Sequence, residues 1–282
     1  AAQVTAGIDG TITRAVDALW GNNDAIGISC SSTSTNYTNM KYVTSEGNGT
    51  FTHDGGAASG IFFQGTDDVT FSAYYPFSGT AGSLPETSGS ITGNTSNQAS
   101  NQTSIDYMFA TGAKTTYASP TVSFTNTAIF KHKMTRLILI LKTDATAGFT
   151  ATDVQNGTYT LGGLKHDGTF KVTDGTAEVT NTSTAVPNWS VSTNCPFADA
   201  SNQRTYTMIL YPQSVTGALP FTATISSKDY KNTADIKFDS NILLAGTSYT
   251  FIITIKKTGL AVSSCTIEGW TGGTGGSGNA EM

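Results

Sequence analysis

Few side chains in this sequence could do chemistry, and their spacing argues against most kinds of it. The three histidines, His53, His132 and His166, stand without a second ligand at helical or hairpin spacing, so no metal site is expected. His53 and His166 each precede an Asp-Gly pair, where residues are chosen for the backbone, and both read as solvated loop side chains. His132, in FKHKMTRL, reads as structural. Cys30, Cys195 and Cys265 form an odd set without C-x-x-C spacing, which allows one bridge at most and fits three buried free thiols. No G-x-S-x-G elbow, phosphate loop, dinucleotide fingerprint or H-E-x-x-H is present. A glycosidase needs only two carboxylates, which can lie far apart in sequence, but the acids here, such as Asp67 and Asp68 in GTDDVTF, fall in turns and at strand starts. No enzyme and no cofactor is expected. Of Trp20, Trp189 and Trp270, Trp189 in the polar stretch AVPNWSVS is the candidate platform for stacking a glycan. Packing in a core or at an edge is the favoured reading for all three, because tryptophan is highly buried on average.

The elements that would position these residues read as strands. Apolar positions recur with period two and are rich in Val, Ile, Thr, Tyr and Phe, as in DVTFSAYYPF (68–77), TVSFTNTAIF (121–130), RLILILKT (136–143), GTYTLGGL (157–164), GTFKVTDGTAEV (168–179), RTYTMILYP (204–212), LPFTATISS (219–227) and SYTFIITIKK (248–257). Asp54-Gly55, Asp167-Gly168 and Asp174-Gly175 are pairs of the kind that close hairpins. Helical periodicity is nearly absent, so the expected class is all-β, built as β-sandwiches. A length of 282 residues favours two domains. The composition shift at KTDATAGFTATD sets the expected boundary, giving domains 1–143 and 144–282. Ser78 to Thr103 reads as a long polar surface loop with almost nothing to bury, and TGGTGGSGNAEM as a flexible tail.

Only 12% of the residues are charged, against roughly 25% in an average soluble protein. The net charge of -5 and the scattered lysines give no footprint for nucleic acid. No apolar run approaches the roughly 18 residues of a helical membrane span. The opening AAQVTAG has no charged n-region or apolar h-region, so the chain reads as cytosolic or as a mature or truncated form, and the neutral, hydroxyl-rich composition favours export.

The first strand ends strangely. In QVTAGIDGTITRA, Val4, Ala6, Ile8, Gly10 and Ile12 alternate with polar residues over residues 3–13, and the pattern stops at Arg14, one of three arginines. Val4, Ile8 and Ile12 would each contribute about 1.5–3 kcal/mol if fully buried, a sizeable part of the roughly 5–15 kcal/mol that holds a domain together. Losing such a strand would leave an apolar groove and two unpaired edges, a template for strand addition.

Further stretches carry a resemblance: TRAVDALWGNNDAIGI (13–28), FSAYYPF (71–77), DYMFA (106–110), FKHKMTRLILIL (130–141), MILYPQ (208–213) and LAGTSYTFIITIKKTGLAVSSCTIEGW (244–270). In this order they resemble the fimbrillin family, the type V pilins and fimbrillin-like surface lipoproteins of anaerobic Gram-negative bacteria. The resemblance implies two transthyretin-like β-sandwich domains, export as a lipoprotein precursor, and assembly into outer-membrane fimbriae that contribute to adhesion. It also implies cleavage by an arginine-specific protease after the N-terminal strand, carried here to the Arg14–Ala15 bond. Another subunit's terminal strand would then fill the groove. A donor needs the same small and apolar alternation, and Ala261, Ser263, Cys265 and Ile267 in LAVSSCTIEGW echo it roughly. The plain alternatives are that this segment is the last strand of the second domain and that Arg14 is an ordinary exposed arginine. The expected partners are other fimbrial subunits, the protease, and host glycans or proteins. A monomeric, lipid-anchored glycan-binding module or a tip adhesin is the alternative function.

Overall fold

A computed structural model describes residues 2–9, 19–143, 146, 148–232 and 236–270. The structure is nearly all β. In the first half, β1 (Gln3–Ala6), β2 (Ala25–Ser31), β3 (Asn36–Val43), β4 (Thr50–His53), β5 (Val69–Tyr75), β6 (Ser90–Asn94), β7 (Met108–Thr115), β8 (Thr121–Phe124) and β9 (Lys131–His132) follow one another. All but β6 join one sheet in the order β8-β1-β4-β3-β2-β5-β7-β9. Its two ends approach where β7 lies against β8, so the sheet folds around a core that includes Val4, Ile28, Phe51, Phe71, Phe124 and Phe130.

The second half contains β10 (Thr135–Lys142), β11 (Thr158–Leu161), β12 (Asp167–Lys171), β13 (Ala177–Val179), β14 (Trp189–Ser190), β15 (Phe197–Ala200), β16 (Gln203–Leu210), β17 (Gln213–Ser214), β18 (Phe221–Ile225), β19 (Lys228–Asn232), β20 (Ile242–Leu243), β21 (Thr247–Lys256) and β22 (Gly259–Gly269). A five-stranded sheet, β15-β16-β10-β21-β22, and a four-stranded sheet, β14-β11-β18-β19, share one apolar core. Strict alternation builds it: Leu137, Leu139 and Leu141 of β10 are fully buried, as are Tyr206, Met208 and Leu210 of β16.

β10 corrects the expected boundary. Its eight residues pair antiparallel with β16, and seven of them pair parallel with β21, so residues 135–142 belong to the second core. The composition shift after residue 143 marks the end of that strand. The chain changes cores earlier, between β9 and β10.

The polar stretch 78–103 departs further from its expected role as a surface loop. Its strand β6 pairs with β12, in the sheet β13-β12-β6, and so stitches the two halves together. A third apolar cluster fills the joint with Tyr74, Ile91, Ile105, Tyr107, Phe170 and Ile209 among its members, and the Tyr107 and Phe170 rings stack at 4.7 Å. The short helix α1 (Gln102–Ile105) closes the segment. Gln98 is fully buried; its amide donates to the Thr95 and Ile209 carbonyls and its carbonyl accepts from the Ile209 N–H at 2.7 Å.

Of the Asp-Gly pairs, Asp54-Gly55 follows β4 as a turn and Asp174-Gly175 lies between β12 and β13. Asp167-Gly168 instead opens β12, where Gly168 makes room for a neighbour: a Cβ there would meet the Tyr211 ring at 2.5 Å.

His166, beside that pair, is buried at 2% exposure rather than solvated, with Nδ1 3.1 Å from the Thr95 hydroxyl and its ring 4.4 Å from that of Trp189. Burial pushes its pKa down from 6.5 to about 4, against a weaker opposing pull from Asp167. The folded imidazole stays neutral while the unfolded one takes a proton near 6.5, so the unfolded state binds more protons between these values. Stability from this site is complete above pH 6.5 and falls as the pH drops towards 4. Urea denaturation at pH 7, 5 and 4 should show a shallower acid loss for His166→Gln than for the native chain.

Candidate functional site

The N-terminal strand lies inside its sheet, with a neighbour on each edge. β1 pairs parallel with β8, Val4 opposite Val122 and Ala6 opposite Phe124, and antiparallel with β4, Val4 opposite Phe51. Val4, Ala6 and Ile8 point into the core with exposures of 1%, 6% and 8%, as the alternation predicts. Backbone bonds continue past the ladder: Ala6 N–H donates to the Gly49 carbonyl at 2.8 Å, Gly7 N–H to Phe124 at 3.0 Å, and Asp9 N–H to Phe130 at 2.8 Å. Phe130 N–H returns a bond to the Gly7 carbonyl at 3.1 Å.

Two local features let the groove close on this strand. Gly49 has φ +81°, and a Cβ there would come within 2.6 Å of the Ala6 carbonyl oxygen, so only glycine allows this approach. Trp20 donates its indole N–H to the same carbonyl at 2.8 Å. Its ring meets Phe51, Phe130 and Tyr75 edge to face at 5.0, 5.2 and 5.5 Å. Gly10, Ile12, Arg14 and Ala15 lie outside the described residues, as does the Gly-rich segment 271–282.

β22, the candidate donor, stands at one end of the five-stranded sheet and, among the described strands, is laddered to β21. The alternation expected of it is broken. A bulge opposite Ile252 and Ile253 shifts the register, so the core face carries Leu260 and Val262 before it, and Cys265 and Ile267 after it. Ala261 is exposed, and the Ser263 side chain lies outside the described residues. One residue in a strand exchanges its faces, which a count from Ala261 in steps of two misses.

Just past β22, Trp270 is buried at 4% exposure. Its ring stacks on His132 at 4.0 Å and 4°, and the Arg136 guanidinium sits 5.1 Å from its centroid. His132 Nδ1 lies 2.9 Å from an Asp106 carboxylate oxygen, so the histidine is held between a carboxylate and an indole. Sequence reasoning left His132 as structural and did not link it to Trp270; residues so far apart carry no shared periodic signal.

Trp189 is no glycan platform. Its exposure is 3%, and its indole N–H donates to the Ser96 carbonyl at 2.7 Å, so no ring face is available for stacking. The packed reading holds for Trp20, Trp189 and Trp270 alike. The three cysteines are free; Cys30 and Cys195 are buried, while Cys265 is half-buried on β22 rather than fully enclosed.

These elements define an all-β protein of two cores, with its first strand seated between two others and a long strand at the end of the second sheet. A model of the fimbrillin-like family matches residues 13–270, and the chain belongs to that family. It is similar to Fim1C, a candidate fimbrium subunit of Bacteroides uniformis, at 30% identity over 95% of this chain and 85% of the relative. Among solved structures it resembles a candidate cell adhesion protein from Bacteroides uniformis, at 26% identity and TM-score 0.74, covering 96% of this chain and 98% of the other. A fimbrilin from Porphyromonas gingivalis shares the fold at TM-score 0.53 and 12% identity, with 97% and 98% covered.

Proposed function

We propose that this protein is a cell-surface fimbrial subunit of two transthyretin-like sandwich domains, without catalytic activity, that polymerises after proteolytic loss of its first strand. The observation that carries this reading is the seat of β1: a short terminal strand, apolar on one face, lies between β8 and β4 and closes a groove lined by Phe51, Val122 and Phe124. Cleavage at Arg14–Ala15 by an arginine-specific protease severs the strand from the rest of the chain. The emptied groove then takes a terminal strand of another subunit, and β22, at the end of its sheet, is the candidate donor. Export as an outer-membrane lipoprotein and contact with host glycans or proteins belong to the same reading. The glycan-module alternative loses its stacking residue with the burial of Trp189.

Limited digestion of the folded chain with an arginine-specific protease tests this. Arg136 and Arg204 lie in β10 and β16, each paired on both edges, and should be spared. Mass spectrometry should show cleavage after Arg14 alone, and size-exclusion chromatography should show oligomers growing once the fragment is lost. A chain that resists at Arg14 and stays monomeric would make β1 a permanent part of the core.

A further inference from the structure

The two strands at the ends of the described chain meet one short segment, residues 130–132. Phe130 exchanges backbone bonds with Gly7 and Asp9 just past β1. Two residues on, His132 stacks on Trp270 just past β22. A second route runs through space: Ile8 and Asp106 line the same cavity of about 140 Å³, and Asp106 is the carboxylate that holds His132.

Trp270 is the only buried side chain among those described in residues 259–270, so it is the anchor for an otherwise shallowly packed strand. Its backbone N–H also donates to the Gly246 carbonyl at 2.6 Å, fixing the strand end against the turn before β21.

We infer that Trp270 is a latch holding β22 in its own sheet, and that β1 sets the latch through Phe130, His132 and Asp106. Losing β1 removes both backbone bonds on Phe130 and the Ile8 wall of the cavity. Water then reaches Asp106 and competes for its hydrogen bond to His132. The stack on Trp270 loosens, and β22 becomes free to leave. The donor strand is thereby offered only by subunits whose own groove has been vacated. This coupling rests on the reading of β1 as a removable strand, whereas the latch itself does not.

Cys265 is a built-in reporter, because it sits half-buried in the middle of β22 and burial pushes its thiol up to about 11. Maleimide labelling of the full chain, mapped by mass spectrometry, reads strand opening at Cys265 against the core thiols Cys30 and Cys195. Trp270→Ala should label at Cys265 at least about tenfold faster than the native chain, the core thiols staying slow, while Trp270→Phe, which keeps a ring on His132, stays near native. Equal rates for Trp270→Ala and native protein, or equal acceleration of all three thiols, would overturn the latch. Protein that has been cleaved and has lost its N-terminal fragment should also label at least about tenfold faster at Cys265; an unchanged rate would overturn the coupling. Retention of the fragment after cleavage counts against the removable strand instead. The coupling is then read in the intact chain from Asp9→Pro, which deletes the donor to Phe130: labelling several-fold faster supports it, and an unchanged rate overturns it.

Discussion

Replacing Val4 with aspartate should cost the N-terminal half about 3–5 kcal/mol, the range for an uncompensated buried charge, while Gln3→Asp one residue earlier should change stability by no more than about 0.5 kcal/mol. The contrast follows from the pleat. Val4 is 1% exposed between Phe51 and Val122, whereas Gln3 is exposed on the opposite face. An aspartate at position 4 finds no cation among the apolar side chains of that core, and it either stays protonated or drives β1 out of the groove. Urea unfolding followed by Trp20 fluorescence measures the loss, since that indole is anchored on the Ala6 carbonyl. Equal stability for the two variants would mean that the strand does not close the core.

The second large effect is expected at the joint between the halves. Gln98→Leu should destabilise the protein by about 2–5 kcal/mol, because it strips partners from both the N–H and the C=O of Ile209, each costing about 1–3 kcal/mol when left unmet. Leucine matches glutamine in size, so the loss is one of hydrogen bonding more than of volume. Gln102, which donates to the Gln98 carbonyl at 2.8 Å, loses that acceptor too. Calorimetry should show the unfolding of the two halves separating into distinct transitions. A single transition of unchanged midpoint would mean that the pairing of β6 with β12 and the Tyr107–Phe170 stack carry the joint alone.

Gln98 also shows where reading the sequence stops. The alternating apolar residues of β1, β10 and β21 were legible because each reports a local, two-residue period facing one core. The stretch from Ser78 to Thr103 has no such period, and its buried members Thr95 and Gln98 are polar. They are buried because distant backbone groups satisfy them, and composition does not encode those partners. The same holds for the boundary: β10 lies beside β21 across more than a hundred residues, a parallel pairing that no local feature announces. The groove was legible as an apolar strand ahead of Arg14, but its walls were not, since Gly49, Trp20 and Phe130 converge from three separate segments.

The unlike neighbours of β1 have one more consequence. One wall of its seat, β8, runs with it and the other, β4, runs against it, so the groove has a sense of direction. A substitute strand laid in backwards would face an antiparallel ladder where a parallel one is written, and the reverse on the other side. Only a strand inserted with the heading of β1 can reproduce the bonds to Pro120, Phe124 and Gly49. In the proposed assembly, subunits joined through such a seat would all point the same way, and their filament would have a front and a back from its first link.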